Sequence, residues 1–94
     1  MIQKYVRNPT IVEAVHFTKD TPYETLETFI TADKEIFCLP HSRTPLTVVV
    51  NTFEGDMEAK WGDYILKNNH GEIYPISKES FERNYKLIDK NLGK

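Results

Sequence analysis

The segment from Asp63 to Ser77 constrains this chain most. Two short runs, Asp63–Asn68 and Glu72–Ser77, carry the β-branched and aromatic residues of strands, and Asn69-His70-Gly71 separates them. A three-residue loop closes as a hairpin when its last residue takes a left-handed conformation, which costs glycine almost nothing. That register pairs Leu66 with Tyr74 and Tyr64 with Ile76. A two-residue loop at Asn69-His70 would instead pair Lys67 with Glu72 and mix the faces less favourably. In the first register Tyr64, Leu66, Tyr74 and Ile76 share one face, which we expect to be the core face. Ile65, Lys67, Ile73 and Pro75 share the other.

The next clearest signal is a helix start. Thr21 stands as a cap, Pro22 as the first helical residue, and Glu24 closes a capping box three residues after Thr21. The spacing predicts a principal helix over Pro22–Thr31. Leu26, Phe29 and Ile30 form its apolar stripe with Tyr23, and Glu27 and Thr28 face water. Ahead of it, Pro9 sets the start of a strand over Ile11–Phe17. Strands are also expected over Glu35–Leu39, Leu46–Thr52 and Met57–Lys60. Pro40 to Pro45 is a loop, Phe53-Glu54-Gly55-Asp56 a turn and Trp61-Gly62 a break. The Val48-Val49-Val50 run suggests burial on both faces. Ser77 caps a short helical turn through Asn84, and Tyr85–Ile88 suits a last strand. The order predicts an α+β fold: a small, mainly antiparallel sheet with one principal helix packed on one face.

Ninety-four residues suit one domain over 1–94, with a polar tail from about 90 to 94 that frays. A 39 % apolar and 28 % charged composition is globular rather than disordered. No stretch approaches the roughly 18 apolar residues of a membrane helix. Met1 to Arg7 lacks the apolar segment of a signal peptide, and the single Cys38 cannot form an internal disulfide. These features point to the cytoplasm. A net charge of −2 gives no field that would gather nucleic acid.

Few residues offer chemistry. Cys38 and His41 have the spacing of half a zinc site, but the other histidines, His16 and His70, supply no second pair. As a nucleophile Cys38 lacks a recognisable base, and an apolar strand makes a thiol inert. Glu54, Asp56 and Glu58 alternate and could bind a hard cation, but such acids more often guard a sheet edge as solvated charges. Asp63 suits a turn at a strand start. The glycines do not cluster into a phosphate loop. Lys78, Arg83, Lys86 and Lys90 interleave with Glu79, Glu82 and Asp89, as on a solvated face. Tyr5, Trp61, Tyr64, Tyr74 and Tyr85 could stack on bases or ligands, but without a basic stripe core packing accounts better for most of them. We expect no enzyme, no cofactor and no metal.

Three stretches together resemble a known family. They are Lys4-Tyr5-Val6-Arg7-Asn8-Pro9 running into Val12-Glu13-Ala14-Val15-His16-Phe17; Thr52-Phe53-Glu54-Gly55-Asp56-Met57; and Gly62-Asp63-Tyr64-Ile65-Leu66-Lys67 through Gly71-Glu72-Ile73-Tyr74-Pro75 to Phe81-Glu82 and Tyr85. The chain resembles small uncharacterised proteins of tailed phages and prophages, which open with a Y-R-K-K-P-V-V-V-E-A run and close with G-D-(W/Y)-I-I-K-G, G-E-F-Y-P-C-K-P-D-I-F and T-Y-E. Ile76, Ser77 and Lys78 replace that family's cysteine, lysine and proline after Tyr-Pro. The resemblance implies a phage product in the bacterial host cytoplasm and brings no catalytic residues.

The leading expectation is a binding protein that occludes a host protein, in host takeover or anti-defence, as anti-CRISPR proteins do. The alternatives are a small-molecule binder such as a sponge for a nucleotide signal, and a virion or packaging accessory. A homodimer is also expected, because a short sheet must manage its edges. The candidate surface is the second hairpin face: Ile65 and Ile73, with Lys67 and Glu72 at the rim and Phe53 and Trp61 in turns near its end. An uncovered apolar patch with an aromatic anchor is a typical interaction site. The competing expectation is that another strand or a second protomer covers it.

Overall fold

The computed structural model describes residues 12–85. Six strands form two three-stranded antiparallel sheets. One contains β1 (Glu13–His16), β5 (Tyr64–Lys67) and β6 (Ile73–Ile76), in the order β1-β5-β6. The other contains β2 (Lys34–Cys38), β3 (Pro45–Thr52) and β4 (Gly55–Lys60), in the order β2-β3-β4. The described residues also form two seven-residue helices, α1 (Tyr23–Phe29) and α2 (Lys78–Asn84). The antiparallel pairing follows the sequence expectation. The single sheet with one principal helix on one face does not: among the described residues strand outweighs helix and falls into two sheets.

The division arises at Trp61-Gly62. There β5 turns away from β4 and pairs with β1 instead. Gly62 sits at φ +104° and donates its N–H to the Phe17 carbonyl at 2.7 Å. The Phe17 N–H reaches the Asp63 carbonyl at 2.8 Å, extending the β1–β5 ladder. Asp63 Oδ2 accepts from the Lys60 N–H at 3.0 Å, the turn role expected of it.

The core lies between the sheets. Val48 and Val50 of β3 and Ala59 of β4 join Ile65 of β5 and Ile73 of β6, with Phe17, Leu26 and Ile30 completing the cluster. Each large side chain so buried contributes about 1.5–3 kcal/mol before entropy is charged against it. Along β3, Val48 and Val50 are fully covered and Val49 half-buried, so the valine run is buried mainly on one face.

The β5–β6 hairpin adopts the predicted register, Tyr64 opposite Ile76 and Leu66 opposite Tyr74, and Gly71 takes φ +82°. Its faces are exchanged relative to expectation. Ile65 is 0 % and Ile73 4 % exposed, and Pro75 is buried; they face the core, so Ile65 and Ile73 are not an open surface. Ile65 and Leu66 are adjacent and both buried, so alternation alone could not choose a face. The second sheet offers the broader apolar layer and takes the aliphatic pair. The tyrosine face, with hydroxyls to satisfy, meets the short α2. There four rings stack nearly parallel: His16 on Tyr64 at 4.3 Å, Tyr64 on Phe81 at 3.8 Å and Phe81 on Tyr85 at 5.3 Å between centroids. Ser77 caps α2 as expected, accepting from the Ser80 N–H at 3.2 Å.

The capping box at α1 does not form. The N-cap is Pro22, without a side-chain bond, and the helix stops at Phe29 rather than Thr31. The Thr21 hydroxyl instead donates to the His16 carbonyl at 3.0 Å and accepts from the Thr18 N–H at 2.9 Å. Glu24 meets Arg43 at 3.1 Å. The apolar stripe is as predicted, with Leu26 and Ile30 fully buried and Phe29 packed beside them. The start of the first strand at Ile11, a last strand over Tyr85–Ile88 and the fraying of 90–94 fall wholly or partly outside the described residues.

Candidate functional site

Two hairpin tips, one from each sheet, frame a cleft of about 570 Å³. At the β3–β4 tip, the Thr52 hydroxyl donates to the Gly55 carbonyl at 2.7 Å and accepts from the Glu54 N–H at 3.1 Å. These bonds fix a tight turn that leaves Phe53 89 % exposed. At the β5–β6 tip Asn68 organises the loop. Its Oδ1 accepts from the N–H groups of His70 at 2.9 Å and Glu72 at 3.0 Å, and its Nδ2 donates to the Glu72 carboxylate. The Gly71 N–H closes on the Asn68 carbonyl at 3.0 Å.

The apolar lining between the tips is Ala32, Phe53, Met57 and Ile73, and Ile73 joins the cleft to the core. Asn51, Glu54, His70, Glu72 and Tyr74 add polar groups, and among the described residues no lysine or arginine lines it. The Tyr74 hydroxyl is held protonated, its pKa pushed up to about 12. Burial contributes most, then its bond with the Tyr85 hydroxyl at 3.5 Å, with negative charge on Tyr85 and Glu72 adding to the effect. An aromatic–aliphatic cleft edged by carboxylates can bind; nothing in it pairs a nucleophile with a base.

Three of the six residues singled out from sequence meet here: Phe53, Glu72 and Ile73. Ile65 lies wholly in the core. Lys67 is half-buried, its Nζ 4.7 Å above the Phe29 ring. Trp61, 41 % exposed, marks the corner between β4 and β5, where its Nε1–H donates to the Pro45 carbonyl at 2.7 Å. Sequence reasoning missed Met57, His70 and Tyr74 as cleft residues. Their one signal was position beside two glycine-bearing turns; that the turns converge is a tertiary fact.

The other candidates stand apart. Cys38 is half-buried at the end of β2, and His41 is exposed in the following loop at φ +59°. Asp56 accepts from Asn51 Nδ2 at 3.0 Å, and Glu58 lies 3.5 Å from Lys60. Among the described residues no group of three or more His, Cys, Asp or Glu side chains could hold a metal ion, and no helix is long and apolar enough to cross a membrane. No protein-family model, curated protein or solved structure matches the chain.

Proposed function

We propose that the chain is a non-catalytic binding protein that engages its partner through the cleft between the two hairpin tips. Phe53 carries this reading. A phenylalanine 89 % exposed on a turn braced by its own hydrogen bonds loses little on folding and is positioned to become buried on association. Met57 and Ile73 give it apolar company. The partner is a bacterial host protein and the source a phage or prophage, in a host-takeover or anti-defence role; this part rests on the sequence resemblance.

A small-molecule ligand is the second reading, favoured by a cleft volume within the usual range for such pockets. Glu54 and Glu72 weigh against a nucleotide, whose phosphates they would repel. The test is capture from bacterial lysate by the wild type, Phe53→Ser and Phe37→Ser. Phe37 is 50 % exposed on β2, away from the cleft, and serves as the control. The expected result is a partner retained by wild type and Phe37→Ser and lost by Phe53→Ser. Equal capture by all three would refute the assignment.

A further inference from the structure

We propose that the cleft takes a lysine- or arginine-bearing peptide segment, its cation set against Phe53 and among the carboxylates of Glu54 and Glu72. This rests on the binding role given to the cleft and names the chemistry of its occupant. Three observations support it.

Two carboxylates line the cleft, and among the described residues no lysine or arginine does. Burial and Tyr85 do most to raise the Tyr74 pKa, and the nearby Glu72 carboxylate adds to the effect. The same protein also binds a cation of its own with the same pair of side-chain types. Tyr23 and Glu24 clasp Arg43, the guanidinium carbon 4.3 Å from the ring centroid and Nε donating to Glu24 Oε1 at 3.1 Å. Phe53-Glu54 offers an aromatic followed by a glutamate at the cleft, with Glu72 opposite on the second tip. An aromatic face and a carboxylate together favour a cation that either alone would hold weakly. Finally, the apolar lining of Met57 and Ile73 is better matched by a peptide, which brings aliphatic side chains beside its cation, than by a free amine.

The experiment is selection of a random peptide display library on the immobilised full chain, with Phe53→Ser and the Glu54→Gln/Glu72→Gln double variant in parallel. The expected peptides carry lysine or arginine beside an aliphatic residue. Binding of a selected peptide should weaken about five- to tenfold in the double variant, and added salt should weaken wild-type binding but affect the double variant much less. Neutral or acidic peptides whose binding depends on Phe53 would overturn the proposal while leaving the cleft as the binding site. Selection indifferent to Phe53→Ser would overturn both, and so would a library that yields nothing. A wild-type oligomer that dissociates in Phe53→Ser would assign the cleft to a second copy and likewise overturn it.

Discussion

Single residues fix the turns on which this fold depends, and Gly62 matters most among them. It links the sheets with φ at +104°, its N–H bonded to Phe17 and its carbonyl 3.2 Å from His16 Nε2. A Cβ there would meet nothing within 4 Å, so the cost of Gly62→Ala is backbone strain alone, about 1–2 kcal/mol by denaturant unfolding. Tyr74 makes a second residue-scale prediction. A folded-state pKa raised from 10 to about 12 means that the native state keeps this proton more tightly. Its contribution is full below pH 10 and is lost as pH climbs from 10 towards 12. Tyr74→Phe should therefore flatten the loss of stability in that window, as followed by circular dichroism; an unchanged alkaline limb would contradict it. At this scale much was legible. Gly71 and Ser77 act as their types predict, because a turn and a cap are local. Thr21 does not: its hydroxyl finds the His16 carbonyl, a partner that helix-start rules do not consider. Glu24→Gln should accordingly cost less than about 0.5 kcal/mol, the range of an exposed ion pair.

At the scale of elements, pairing was readable and facing was not. The β5–β6 register follows from the Gly71 loop, but Ile65, Leu66, Ile73 and Pro75 leave both faces apolar enough to bury. Which face meets the second sheet depends on strands distant in sequence. Ile73 makes the consequence measurable. As a core residue it should cost about 2–4 kcal/mol as Ile73→Ala, and Ile73→Glu should unfold the protein. A stable, folded Ile73→Glu would return this face to the surface. The opposite face depends on α2. Phe81 stacks between Tyr64 and Tyr85, so Phe81→Ala should free the helix from the sheet. Hydrogen exchange should then show lost amide protection in α2 with protection in β5 and β6 retained.

For the whole molecule, the two-sheet architecture matters because it brings two tips together. Phe53 and Glu72 do meet, but not at the end of an open hairpin face as the sequence led us to expect; β3–β4 and β5–β6 belong to different sheets, and the core between them sets the spacing. Phe53 can serve as the proposed anchor because the fold leaves it outside, whereas Ile65, expected in that surface, is enclosed between the sheets. The proposed binding role of Phe53 is thus separate from the core, although Ile73 belongs to both cleft and core, and Phe53→Ser isolates it. Thermal unfolding and partner capture of Phe53→Ser, measured on one preparation beside wild type, distinguish a binding residue from a core residue. The expected result is a stability within about 0.5 kcal/mol of wild type and a lost partner. A Phe53→Ser protein that unfolds early, or one that stays stable and keeps the partner, would contradict it.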